Sequence, residues 1–135
     1  MTLVKSGSCL CGETRLRVTV DTTQISACHC STCRKWTGGP LLVVDCNKAP
    51  VFEGLPPSVY DSSDWAQRGF CNRCGTHLYY RLKDKVHYAI PVGLLDGDEA
   101  WDFALQIFVE QKPTWYCFAN QTQELTGEQV FEQFA

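Results

Sequence analysis

The chain has 135 residues, 44% of them hydrophobic and 20% charged, with a formal net charge of -3 and nine cysteines. That length suits one domain with a real core, and the composition argues against disorder. No basic tract and no apolar run of about 18 residues is present, so neither a nucleic-acid surface nor a membrane-spanning helix is expected.

The N-terminal "MTLVKSGSCLCGE" lacks the long apolar stretch of a secretory signal, so a reducing, cytoplasmic setting follows. Cysteines in that setting serve as metal ligands or reactive thiols rather than disulfides. In "ETRLRVTV", Leu16, Val18 and Val20 alternate with Arg15, Arg17 and Thr19. That is the period of a half-buried strand. Further strands are expected at 24–30, 40–46, 50–54, 66–71, 76–82, 86–93, 103–110 and 114–118, separated by turn chemistry such as "KWTGGP" and "EGLPPS". Ser31 is placed to cap a short helix through Cys33 to Trp36. Thr126 and Gln129 form a capping box ahead of "VFEQF", which predicts a short C-terminal helix over 127–134. With no linker or low-complexity tract, residues 1–135 read as a single, mainly β domain.

Seven of the nine cysteines are clustered. Cys9 and Cys11 form C-x-C; Cys28, Cys30 and Cys33 form C-x-C-x-x-C; Cys71 and Cys74 form C-x-x-C. Side chains two apart on an extended segment share a face, and a C-x-x-C turn with a following glycine brings its sulfurs together. Two four-cysteine sites would need eight ligands. The partition that completes one site joins Cys9, Cys11, Cys71 and Cys74 as a structural zinc. It leaves Cys28, Cys30 and Cys33 for a second ion with one position open or exchangeable, as catalytic zinc requires. A fourth protein ligand would have to come from His29, His77, His87, Cys46 or Cys117. His29 lies between two ligands and should face away from them. Cys46 and Cys117 read as small buried apolar residues.

Residues 1–44 carry Lys5, Arg15, Arg17, Arg34 and Lys35 against Glu13 and Asp21; a solvated surface is the ordinary reading of that bias, and a preference for anions in the segment with the three cysteines is the sharper one. Arg34, next to Cys33, favours a thiolate and can hold a carboxylate. Trp36 and Trp115 are candidates for pocket walls, although core packing is the commoner fate of tryptophan.

"GSCLCGETRLRV", "ACHCSTCRKWTGG", "RGFCNRCGTHLYYR", "VGLLD" and "PTW", in this order, resemble the glutathione-dependent formaldehyde-activating enzyme family, which includes centromere protein V. The resemblance spans residues 6 to 115. It implies a β-tent type fold, with several small bent antiparallel sheets stapled by zinc. It also implies two zinc ions, structural on Cys9, Cys11, Cys71 and Cys74, and catalytic on Cys28, Cys30 and Cys33; a site of three cysteines could lose its ion easily. The implied activity is that of a carbon–sulfur lyase, in which glutathione and formaldehyde combine to S-(hydroxymethyl)glutathione and the adduct reverts. Its partners are a small thiol such as glutathione and an aldehyde, with no nucleic acid and no membrane. Two other readings compete. A zinc-stabilised binding module would close the second site with a fourth protein ligand. A thiol redox protein would cycle a Cys30–Cys33 disulfide.

Overall fold

The computed structural model describes residues 1–134. Its elements are β1 (Leu3–Ser8), β2 (Thr14–Val20), β3 (Gln24–Cys28), α1 (Ser31–Thr37), β4 (Leu41–Cys46), β5 (Val51–Gly54), β6 (Ser58–Asp61), β7 (Ala66–Phe70), β8 (His77–Leu82), β9 (Tyr88–Pro91), β10 (Asp102–Ile107), β11 (Gln123–Leu125) and α2 (Gly127–Phe134). Single 3-10 turns lie at Val92–Leu94 and Val109–Gln111. The chain is mainly β, as expected. It divides into two compact units.

The first unit is Met1–Thr23 with Val43–Ala100. Alternation in β2 sets its small sheet: Thr14, Leu16, Val18 and Val20 are buried, and Arg15 and Arg17 face water. Each buried Leu or Val contributes about 1.5–3 kcal/mol. β1 and β5 flank β2, both antiparallel, with Leu3 opposite Val20 and Leu16 opposite Phe52. An antiparallel run, β4-β9-β8-β7-β6, forms the rest of the unit. Leu78, Ile90 and Val44 are buried at its core. The Tyr79 ring lies 5.4 Å from Tyr88 and 5.7 Å from Phe52, and rests where a side chain on Gly69 would stand.

Gly7 serves a close approach. A Cβ there would sit 2.0 Å from the Leu94 carbonyl oxygen, and Gly7 bridges Leu95 while Asp96 N–H donates to Ser6 O at 2.8 Å. Backbone cannot rotate away as a side chain can.

The second unit is Gln24–Leu42 with the residues from Trp101 onward. Here β10 pairs in parallel with β3 on one side and with β11 on the other. The parallel pairing of β10 departs from the antiparallel sheets expected. Ser26, Ala27, Cys28, His29, Cys33, Leu41, Gln106 and Leu125 are buried, a polar set for an interior. The α2 capping box forms as expected: Gln129 N–H donates to Thr126 Oγ1 at 3.2 Å, and Thr126 N–H to Gln129 Oε1 at 2.7 Å. Glu110 adds a carboxylate that accepts from Gly127 N–H at 3.0 Å, where the helix N-terminus favours negative charge.

Residues 114–118 are not a strand. Lys112 Nζ donates to Tyr116 O at 2.9 Å and to Pro113 O at 3.5 Å, holding carbonyls that a strand would offer to a neighbour. Cys117 is therefore exposed rather than buried. The strands at β1, β6 and β11 lie outside the expected set.

Gly7→Ala should cost roughly 1–3 kcal/mol of unfolding free energy, because the new methyl meets fixed backbone. Gly93→Ala, with open space around it, should stay within about 1 kcal/mol. Urea unfolding of both variants checks the contrast.

Burial, aided by the Arg68 charge, lowers the His77 pKa to about 4 from an ordinary 6.5. The unfolded chain then binds the extra proton first, so stability is complete above about pH 6.5 and falls as pH drops toward 4. His77→Gln should flatten that part of the unfolding-versus-pH profile.

Candidate functional site

Two groups of sulfur ligands form, one in each unit. In the first, Cys9 and Cys11 sit on the turn between β1 and β2, and Cys71 and Cys74 on the turn between β7 and β8. The turns are built alike. Gly12 at φ +81 donates its N–H to Cys9 O at 3.1 Å, and Gly75, also at φ +81, donates to Cys71 O at 2.7 Å. A left-handed φ is where glycine is at no disadvantage. The turns are tied together by Leu10 N–H donating to Thr76 Oγ1 at 3.0 Å and by an Arg73–Glu13 ion pair at 2.8 Å.

The four sulfurs lie within 4.8 Å of one another, with Cys9–Cys11 at 3.5 Å and Cys11–Cys71 at 3.8 Å. Four sulfurs around one tetrahedral ion at bond lengths near 2.3 Å stand about 3.8 Å apart. The spacing fits such an ion, and no disulfide joins any of the nine cysteines. The thiols are electrically unequal. Thr76 hydroxyl and nearby backbone N–H groups pull Cys74 down to about 5. The Cys74 backbone N–H leads those that lower Cys71. Glu13 N–H pulls Cys11 down, but desolvation and the Cys9, Cys74 and Cys71 thiols together push it up to about 12.

In the second group, Cys28 ends β3, Cys30 caps α1 and Cys33 lies in its first turn. Cys33 N–H donates to Cys30 Sγ at 3.3 Å, so the cap is Cys30 rather than Ser31. The three sulfurs again lie within 4.8 Å, and no fourth His, Cys, Asp or Glu joins them among the described residues. Hydrogen bonding to Cys30 and Cys33, burial and the repulsion of their charges all hold the Cys28 thiol in its protonated form, far above the usual thiol range. A cation held among the three sulfurs would favour loss of these protons.

His29 turns away from the sulfurs, as its place between them requires. It is buried, with Nε2 at 2.8 Å from Gln106 Oε1 and Nδ1 at 2.6 Å from the Tyr116 hydroxyl. Gln106 in turn donates its Nε2–H to Thr122 Oγ1 at 3.0 Å. Burial is the main cause that lowers the His29 pKa. Arg34 is fixed by Nε–H donation to His29 O at 3.0 Å. Burial pushes the Tyr116 hydroxyl up. Lys112 lies 5.6 Å from the centre of the Tyr116 ring, and Trp115, 70% exposed, packs 4.8 Å from it.

The other proposed fourth ligands are engaged elsewhere or stand outside the group. His77 Nε2 meets Tyr79 O at 3.2 Å, His87 pairs with Asp45 at 3.3 Å, and Cys46 is buried in β4. Gln106, Tyr116 and Lys112 had no sequence signal of their own. The only pointer toward them was a histidine set between two ligand positions.

Over residues 4–111 the chain matches the family described as "Glutathione-dependent formaldehyde-activating enzyme", and it belongs to that family. It is 37% identical over 128 residues to an "Uncharacterized lyase" of Schizosaccharomyces pombe, with 93% of each chain covered. It is 28% identical over 151 residues to a Halomonas elongata protein named "Putative glutathione-dependent formaldehyde-activating enzyme", covering 93% of this chain and 94% of that one. A Rhodobacter sphaeroides crystal structure shares the fold at TM-score 0.57 and 19% identity, covering 70% of this chain and 91% of that one. The chain is a lyase of this family. No helix among the described residues is long and apolar enough to cross a membrane.

Gln106→Leu would leave the His29 Nε2–H buried without an acceptor. It should lower the unfolding free energy by about 1–3 kcal/mol in a denaturant titration.

Proposed function

We propose that the protein is a zinc-dependent carbon–sulfur lyase that interconverts glutathione plus formaldehyde with S-(hydroxymethyl)glutathione. The observation that carries this reading is the sulfur triplet of Cys28, Cys30 and Cys33, which has no fourth ligand among the described residues. Cys9, Cys11, Cys71 and Cys74 would hold a structural zinc, closed by four thiolates. Residues 1–135 would act as one zinc-binding domain in a reducing compartment such as the cytoplasm.

When bound at the triplet, zinc would supply a Lewis acid and keep thiolates deprotonated near neutral pH. Cys28, Cys30 and Cys33 would hold that ion, with Cys33 fixed by α1 and Cys28 by β3. Arg34, locked to His29 O, offers a guanidinium to a substrate carboxylate and stabilises negative charge nearby. Lys112 adds a second cation, and Trp115 a hydrophobic wall. In the forward direction the thiol sulfur bonds to the aldehyde carbon. The carbonyl π pair moves to oxygen, and the thiol proton ends there. The reverse step breaks the same carbon–sulfur bond. Holding both partners at one place supplies much of the acceleration.

Exchange spectroscopy by NMR, comparing zinc-loaded protein with the uncatalysed reaction, tests the reading. The wild type should accelerate the exchange and carry two zinc ions per chain. Cys33→Ser should stay folded, carry one and lose the acceleration. Cys71→Ser should lose the fold, because a structural metal contributes folding free energy directly. No acceleration by the zinc-loaded wild type would overturn the formaldehyde reaction. Unfolding of both variants alike would overturn the division of the two sites.

A further inference from the structure

The turn that carries the sulfur triplet is pinned at every peptide group between Cys28 and Ser31. The first is held by its N–H: His29 N–H donates to Ile107 O at 3.1 Å. The second is held by its carbonyl, since His29 O accepts from Arg34 Nε–H at 3.0 Å. The third is held at both ends. Cys30 O accepts from Arg34 N–H at 3.0 Å, and Ser31 N–H donates to Gln111 Oε1 at 2.9 Å. A first-turn N–H has no acceptor inside its own helix. Here it finds one on a side chain 80 residues further along the chain.

The two outside anchors, Ile107 and Gln111, belong to one short segment at the end of β10. Between them stands Phe108, the one non-glycine residue with a left-handed φ, +55, among those described. That kink ends β10 and opens the 3-10 turn Val109–Gln111, in which Gln111 N–H closes onto Phe108 O at 3.0 Å. A side chain makes such a conformation unfavourable, so packing has to hold it. The Phe108 ring lies where a side chain on Gly127 would stand and 6.0 Å from the Phe131 ring, while the Glu110 carboxylate receives Gly127 N–H. Helix α2 thus backs a bracket whose other side holds the triplet turn.

Cys30 and Cys33 both depend on the peptide that Gln111 holds. Cys30 caps α1 through its sulfur, and Cys33 N–H donates to that sulfur at 3.3 Å. Rotation of the Cys30–Ser31 peptide would move the Cys30 side chain and the start of the helix that carries Cys33.

We infer that Gln111 is a positioning residue for the second metal site: by holding Ser31 N–H it fixes Cys30 and Cys33, and so sets how tightly the Cys28–Cys30–Cys33 triplet keeps its ion. This rests on the metal part of the proposed reading and on no step of the formaldehyde reaction. Gln111 touches neither ion nor substrate in this role. Groups one layer behind the ligands commonly tune metal affinity in this way.

Two variants separate the acceptor from its bulk. Gln111→Leu keeps the size and removes the oxygen; Gln111→Glu keeps an oxygen where the amide has one. Each chain is loaded with cobalt(II), whose thiolate absorption reports both sulfur groups, and titrated with a competing chelator. In Gln111→Leu the triplet should bind its ion roughly threefold to tenfold more weakly, while the four-cysteine group in the other unit holds its own as in the wild type. Gln111→Glu should hold the triplet ion at least as tightly as the wild type, since it keeps the acceptor and adds a negative charge.

Equal retention of the triplet ion by the wild type and Gln111→Leu would overturn the inference. So would equal weakening of both sulfur groups, which would make Gln111 a stabiliser of the fold alone, and so would a Gln111→Glu variant as weak as Gln111→Leu. If the wild type loads the four-cysteine group only, the metal reading of the triplet fails and the inference with it. If the triplet loads and weakens as described but the exchange reaction is absent, the formaldehyde reading fails and the role of Gln111 is supported.

Discussion

Sulfur crowding constrains this molecule more than any other interaction. Four thiols in one unit and three in the other stand within 4.8 Å of their own group. Several negative charges at that distance repel strongly wherever water is partly excluded. The Cys28 thiol accordingly keeps its proton when only its two sulfur neighbours are present. The polypeptide has nevertheless spent a helix N-cap, a strand end and two left-handed glycine turns on bringing these atoms together. Such an arrangement makes chemical sense as a receptor for a cation that takes thiolates.

The two receptors are built with opposite economy. The four-cysteine group draws on two matched turns and an external brace of Thr76, Arg73 and Glu13, mostly at the surface. The three-cysteine group has a surface brace in Ser31 N–H, which donates to Gln111 Oε1 at 2.9 Å. It is also backed by buried polar side chains, with His29 filling the place where an apolar residue would ordinarily pack. Both ring nitrogens of that histidine are satisfied, so the interior tolerates it. A closed ligand shell fits the first design. The second group, with three sulfurs, is backed by an interior that reaches from a buried amide to a half-buried phenol.

Legibility in the sequence followed the range of the physics. Local signals were read well. The alternation of β2 is a property of seven consecutive residues, and the Thr126–Gln129 box a property of four. The grouping of the cysteines followed from counting ligands against the number a closed site needs. Cys30 as helix cap was missed because serine beside it is the commoner capping residue, while sulfur took the role here. The short strands β6 and β11 carry too few residues to show a period. Parallel pairing of β3 with β10 has no signature in either segment alone. The stretch 114–118 has the apolar and aromatic content of a strand, but Lys112 captures its carbonyls, an interaction that composition does not reveal. For the same reason the link from Tyr116 to His29 emerged only once the chain was folded.

The two sulfur groups also differ in how far apart along the chain their members lie. Cys28, Cys30 and Cys33 occupy six successive positions, whereas Cys11 and Cys71 are 60 residues apart. Tyr116 reaches His29 across 87. Loop closure makes distant contacts slower and entropically dearer to form than local ones. During synthesis the triplet is complete once its own hexapeptide has emerged, long before Cys71 exists. The spacing thereby favours an order of assembly: the local sulfur group first, the long-range four-cysteine group next, and the Tyr116–His29 contact last.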